Sequence, residues 1–385
     1  MRNEATMINE TLSEIFHHIS ESLNISRTDN EEIVNSYKAV GSYLGELEEE
    51  LNISIFPQGS LSLGTIIKPL ATDRNGEYDV DLVCRITNGQ NLTPKEVKNI
   101  IGNRLKQSKL YSEKLDSEGK RCWTLNYYKY HMDILPCIPY STSEFDTKIV
   151  LTEKIDSGEY VFGLSNPKGF RNWFTNEMLD IFNESREAFS KRNNVDIEEV
   201  KLYQVRTPLQ KVIQILKRHR DIAFEGEKYR PSSIIITTLA AKAYNGEQDL
   251  FIALSNIIYN MEKYIEIDQY GNYNVYNPVD STENFTDRWR DNPERKDAFF
   301  SWLLKAKSDI VDDPVNFIEG LDSLKERLSR NFGQDLVNTS FESYGESISK
   351  IKNNNGLGLN ENDFLSTDSN NKKKPIANHT FYGGE

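Results

Sequence analysis

The chain has 385 residues, enough for two packed domains, with 37% hydrophobic and 27% charged residues and a formal net charge of −13. That charge argues against tracking long nucleic acid over a broad basic face, yet leaves room for a small basic pocket that holds a compact anion. No stretch approaches the roughly 18 consecutive apolar residues of a membrane span. The N-terminal MRNEATMINETLSEIF has acids where a signal peptide has an apolar core, and Cys84, Cys122 and Cys137 are too few and too scattered for a disulfide framework or a zinc knuckle, so a reducing cytoplasm is the expected compartment.

Ile8, Leu12, Ile15 and Phe16 form one apolar stripe, and Ile33, Tyr37, Val40, Tyr43, Leu44 and Leu47 a longer one. Two helices are predicted over 7–50, the second capped by Asp29 or Asn30. Residues 53–56 read as a strand stopped by Pro57. A β-rich run covers 78–86, and Thr93-Pro94-Lys95-Glu96 opens a helix with Pro in its first turn. Strands are predicted over 122–128 and 130–135, the latter stopped by Pro136. Helices dominate from Asn166: 168–192, 208–223, 232–244, 250–265, 291–311, 314–327 and 331–352. The polar, apolar-poor stretch after Asn353 makes 354–385 a flexible tail by composition.

The informative segment is QGSLSLGTIIKPLATDRNGEYDVDL, residues 58–82. On a strand, Asp79 and Asp81 point the same way while Val80 and Leu82 point into the core. Adjacent carboxylates repel unless a cation sits between them, and hard oxygen ligands suit Mg²⁺ or Mn²⁺. In YHMDILP, Met132 and Ile134 share one face and His131, Asp133 and Leu135 the other. If this strand pairs beside the first, Asp133 completes a triad of the two-metal type used in phosphoryl transfer. Gly59-Ser60 reads as a tight turn opening a short helix that approaches a phosphate, with Ser62 as a second candidate. Each element alone has a bland reading: a solvated DxD edge, an uninformative Gly-Ser, a satisfied buried Asp. Their order along the chain is far more specific, and no GxxxxGK[ST] loop occurs.

QGSLSLGT, YDVDLV and HMDILP together resemble the signature of polymerase-β-like nucleotidyltransferases. SNPKGFRNWF, LQKVIQILKRHRD, RPSSIIITTLAA and NPVDSTENFTDRW narrow the resemblance to bacterial cGAS/DncV-like nucleotidyltransferases (CD-NTases) over residues 30–345. The resemblance implies an α+β fold: a nucleotidyltransferase lobe with a mixed β-sheet (51–160) and a helical lobe like that of oligoadenylate synthases and cGAS (161–353). The helices of 1–50 would form a spine across both, followed by the tail 354–385. It implies synthesis of a cyclic di- or trinucleotide from nucleoside triphosphates, ATP first among them, in CBASS anti-phage defence, with the product acting on a downstream effector.

By motif match, Asp79, Asp81 and Asp133 are then catalytic and hold two Mg²⁺ or Mn²⁺ ions, Asp133 also drawing off the hydroxyl proton. Gln58, Gly59 and Ser60 bind the nucleotide. Lys217 and Ser233 match a Lys and a Ser that family members place on the triphosphate, although KRHR (217–220) also reads as an exposed basic helix face. Asn277 and Asp280 are expected to shape the nucleotide pocket, beside the plain-turn reading of NPVD. Some operons of this family encode ubiquitin-transfer-like proteins acting on the synthase's C-terminal Gly. An operon-encoded partner reading the tail is therefore weighed against an untouched tail, since Gly383-Gly384 is followed by Glu385. No obligate DNA binding is expected, because the sequence has no Cys-His ribbon. A template-independent RNA nucleotidyltransferase of the tRNA-end or poly(A) type is the alternative, and the −13 charge counts against it. A regulatory module with a degenerate site is disfavoured by the intact triad.

Overall fold

The computed structural model describes residues 4–46, 51–70, 77–143, 146–193, 205–315 and 320–353, with three residue pairs beyond them. Helices α1 (Glu4–Leu23) and α2 (Arg27–Gly45) lead into β1 (Ile53–Pro57), the five-residue α3 (Gly59–Leu63), β2 (Tyr78–Ile86), α4 (Pro94–Gln107) and α5 (Lys109–Ser112). Then come β3 (Trp123–Asn126), β4 (Tyr130–Pro139), β5 (Ile149–Lys154) and β6 (Tyr160–Ser165). Helices α6 (Pro167–Asn176), α7 (Leu179–Asn193), α8 (Pro208–Ala223), α9 (Ser233–Ala243) and α10 (Leu250–Asn260) follow. Short strands β7 (Glu266–Ile267), β8 (Tyr273–Asn274), β9 (Tyr276–Asn277) and β10 (Asp280–Asn284) fill the next connection. Helices α11 (Pro293–Ala306), α12 (Asp313–Val315), α13 (Leu321–Phe332) and α14 (Gln334–Asn353) come last.

The main sheet is mixed, in the order β1-β2-β4-β5-β6, with β3 also flanking β4. Strands β2 and β4 are parallel, so α4 crosses over between them and covers the back face with Val97, Ile101 and Leu105. The N-terminus of α4 is secured by a Thr93–Glu96 capping box. Val80, Leu82, Met132 and Ile134 point into that core and are fully buried, as strand alternation requires. On the opposite face the ends of β2 and β4 carry carboxylates, and further along Val83, Leu135 and Cys137 join Ile149 and Leu151 in a small apolar cluster.

The helical part has its own larger core, in which α8 is central: residues 209, 210 and 212–221 are all buried. Helix α1 packs in this core against α8, α10 and α14, whereas Ile33, Val40 and Leu44 of α2 belong to the sheet core. Each fully buried Leu, Ile or Phe here contributes on the order of 1.5–3 kcal/mol relative to exposure. Among the described residues no helix is long and apolar enough to cross a membrane.

Several boundaries differ from the sequence reading. Helix α2 starts earlier than expected: Ser26 is its cap, its hydroxyl accepting from Asp29 N–H, while Asn30 is buried inside the helix. Strand β4 runs through Pro136 to Pro139. Pro136 sits where the flank of β4 passes from β3, which ends its pairing at Ile134, to β5, which begins at Cys137, so a missing N–H costs little there. The helix expected over 168–192 is broken into α6 and α7, and the one over 291–311 ends in a π-helical turn, Lys307–Asp312. Strand β6 pairs with β5 along its length, so the sheet continues past residue 160 to Ser165. The tail 354–385 lies outside the described residues, apart from the pairs Gly358–Leu359, Leu365–Ser366 and Lys374–Pro375, which pair as short strands.

Candidate active site

The parallel register sets Asp79 beside His131 and Asp81 beside Asp133. One carboxylate oxygen from each of Asp79, Asp81 and Asp133 lies within 4.8 Å of the others. Asp79 is exposed; the other two are half-buried. Burial, reinforced by the charges of Asp79 and Asp133, pushes the Asp81 carboxyl up to about 7, while His131 and Lys217 pull it down. Three carboxylates converging this closely form a donor set suited to a hard divalent cation. Asp133 also accepts a hydrogen bond from Thr124 Oγ1 on β3 at 2.5 Å.

Strand β1 delivers the chain to this cluster. Gln58 occupies the cap position of α3, its backbone N–H donating to Asp81 O at 2.9 Å; its side chain makes no cap bond and does not line the cleft. Gly59 follows with φ +60°, and a Cβ there would lie 2.4 Å from Asp81 Oδ2. Only glycine allows this approach. Ser60 lines the cleft, whereas Ser62 faces a second cavity behind α3 and donates to Gly59 O.

The opposite wall comes from α8 and α9. Four side chains on one stripe of α8 hold backbone carbonyls of residues 63–68, from the last residue of α3 onward. Gln210 Nε2 donates to Leu63 O at 2.9 Å, Gln214 Nε2 to Ile66 O at 2.8 Å, Lys217 Nζ to Thr65 O at 3.0 Å and Arg218 Nη2 to Lys68 O at 2.5 Å. The basic run 217–220 is therefore buried, not an exposed face: Lys217 is 7% exposed and Arg220 5%. Burial, with Arg220 adding to it, pushes Lys217 down to about 8, against the pull of Asp221, Asp79 and Asp81. Arg220 donates to Ser233 Oγ at 2.6 Å and to Asp221 Oδ1, and Arg230 lies 3.6 Å from the same Asp221 oxygen. Acidic and basic walls enclose one cavity of about 350 Å³, lined by Gly59, Ser60, Asp79, Asp81, Lys217 and Ser233 among others.

Asn277 and Asp280 are elsewhere. Asn277 donates to Glu283 Oε2 at 2.7 Å and caps Val279 N–H. Asp280 accepts from Thr282 and pairs with Lys148 at 3.2 Å. Glu283 in turn accepts from Ser165 Oγ on β6. These short polar side chains build an Asx-type turn and pin the β9–β10 hairpin to the sheet edge, as the turn reading of NPVD foresaw. Four residues escaped the sequence reading. His131 shares a strand face with Asp133, but only the register with β2 places it on Asp79. Arg220 is one turn from Lys217. Arg230 and Thr124 carry no local signal beyond their type.

A mixed sheet with three converging carboxylates, a Gly-Ser turn beside them and a helical lobe opposite define a polymerase-β-like nucleotidyltransferase. Residues 11–177 match the family model of the Second Messenger Oligonucleotide or Dinucleotide Synthetase domain. A c-di-GMP synthase of Roseivirga ehrenbergii is 29% identical over 99% of this chain and 98% of its own length. The structure of the Bradyrhizobium diazoefficiens CD-NTase CdnG in complex with GTP superposes with a TM-score of 0.70 at 20% identity, covering 87% of this chain and 99% of that one. Vibrio cholerae DncV, a cyclic AMP-GMP synthase, gives a TM-score of 0.54 at 15% identity over 86% and 89% of the two chains. The chain thus has the fold of CD-NTases of the cGAS/DncV type, is similar in sequence to cyclic dinucleotide synthases, and is an enzyme of the nucleotidyltransferase class.

Proposed function

We propose that this enzyme joins two nucleoside triphosphates, GTP among them, into a cyclic dinucleotide that signals within a CBASS anti-phage system. The observation that carries this reading is the convergence of Asp79, Asp81 and Asp133 at the edge of a cavity that Asp79 and Asp81 line together with Gly59, Ser60, Lys217 and Ser233. The relative named for c-di-GMP and the fold match bound to GTP favour guanine over the adenine placed first on sequence.

In this reading Asp79, Asp81 and Asp133 hold divalent cations, two of them, Mg²⁺ or Mn²⁺. When bound, such ions lower the pKa of a ribose hydroxyl and offset charge on the α-phosphate and the leaving pyrophosphate. Ser60 and Lys217 grip the triphosphate, and Arg220 keeps Ser233 turned toward it. Asp133, oriented by Thr124, accepts the proton as the hydroxyl oxygen bonds to the α-phosphorus and the bond to the β-phosphate oxygen breaks. A second round on the linear product closes the ring. A cytoplasmic location fits the three free cysteines.

The test is incubation with all four ribonucleoside triphosphates and Mg²⁺ or Mn²⁺, phosphatase treatment and mass spectrometry. A phosphatase-resistant cyclic dinucleotide containing guanine is expected. Extension of added tRNA, with no cyclic product, would move the enzyme to the RNA-modifying class.

A further inference from the structure

Asp79 differs from its two companions. Asp133 is turned by the Thr124 hydroxyl, and Asp81 lies against Gly59, but the Asp79 side chain is 61% exposed. An exposed Asp samples several staggered rotamers, and a site that must recruit it loses that freedom on every binding event. Directly across on β4 stands His131, only 4% exposed, with Nε2 3.0 Å from Asp79 Oδ1 and Nδ1 3.8 Å from Glu77. A carboxylate only accepts, so Nε2 carries the hydrogen and donates it. Tyr130 and Met132, on either side of His131, are buried at 1% and 0% exposure, so the strand that carries the ring is locked in the sheet core.

We propose that His131 is a positioning residue of the metal site: its imidazole holds Asp79 Oδ1 and so aims the other oxygen of the one solvent-exposed triad carboxylate at the cation shared with Asp81 and Asp133. The inference rests on reading the triad as a metal site. A donor fixed by its strand, bonded to one oxygen of a ligating carboxylate, sets the direction of the other, and loss of such a partner weakens metal binding typically 10–100-fold. His131 touches neither phosphate nor ribose in this scheme; it acts through Asp79.

The experiment uses the full chain without nucleotide and follows Mn²⁺ binding by electron paramagnetic resonance. Two near-isosteric variants separate position from packing. In His131→Gln the amide nitrogen overlays ring Nε2 and still reaches Asp79; in His131→Asn it overlays Nδ1 and faces Glu77. His131→Asn is expected to raise the Mn²⁺ dissociation constant about 10-fold or more, and His131→Gln to stay within about 3-fold of wild type. In steady-state synthesis the Mg²⁺ needed for half-maximal rate should shift likewise, with the KM for GTP unchanged at saturating metal. Wild-type affinity in His131→Asn, or equal weakening in both variants, would overturn the positioning role. Asp81→Asn serves as the reference. If it binds Mn²⁺ as wild type does, the metal-site reading itself fails; if it loses binding while His131→Asn keeps it, only the role of His131 falls.

Discussion

On the sheet wall of the cleft, three acids share a face because β2 and β4 run parallel in register; on the helical wall, Lys217, Arg218 and Arg220 sit inside packed structure, each donating to a named partner. The acidic wall concentrates like charge that His131 and Lys217 offset only in part, and burial together with that charge raises the Asp81 pKa. The basic wall buries charge but satisfies it with carbonyls, Asp221 and Ser233. Repulsion left standing marks a place for a cation, whereas buried and bonded cations give a rigid surface against which an anion can rest. The two walls should therefore fail differently when altered.

The largest effect is expected on the acidic side. Replacing Asp79 and Asp81 together by Ala should lower cyclic dinucleotide formation by at least about 1,000-fold, read by mass spectrometry, with a cooperative melt retained. Protons compete with the cation here. With the Asp81 carboxyl pushed up to about 7, Mn²⁺ affinity should rise from about pH 6 to about pH 8 and then level off. Without metal, ionised Asp81 burdens the folded state. Wild-type stability should thus decline from the ordinary carboxylate range up to about pH 7, and Asp81→Asn should remove most of that decline.

Next comes Gly59→Ala. Its Cβ would collide with Asp81 Oδ2, so synthesis should drop about 100-fold through displacement of a carboxylate whose own identity is unchanged. On the basic wall, Lys217→Met should raise the KM for nucleoside triphosphate about 10–100-fold, the range for losing a hydrogen bond to a charged group, with a smaller change in kcat. A kcat loss as large as that of the Asp variants would erase the distinction between the walls. The smallest catalytic effect belongs to Asp280→Ala: activity within about 2-fold of wild type, but a stability loss of about 1–3 kcal/mol in denaturant melts, because Lys148 and the Thr282 turn lose their buried partner.

The acidic wall was legible in the sequence because strand alternation has a period of two, so hDhDh fixes which residues share a face without any knowledge of neighbours. Strands β1 to β4 and the turn at Gly59-Ser60 were readable for the same local reasons, whereas β5 and β6 went unread. Register was not: that His131 meets Asp79, and Thr124 meets Asp133, depends on pairings between strands about 50 residues apart or across a turn. The basic wall was half legible. Lys217 and Ser233 were picked out by resemblance, but whether KRHR is buried depends on packing from every side of α8, which its own sequence does not encode. For Asn277 and Asp280 the sequence left two readings side by side, because a turn built from Asn and Asp looks the same whether it binds a ligand or pins a hairpin.

The stripe of α8 that grips residues 63–68 has a mechanical consequence. Its four donors share one helix face, so a rotation or slide of α8 strains all four bonds together, and Thr65, whose N–H donates to Ser60 O, is among the residues they hold. Helix α8 is wedged among α1, α9, α10 and α13, so its orientation is set by the whole helical core. The chain that follows Ser60 is thus tied to the helical core at four points, and the placement of that side of the cleft follows the orientation of α8.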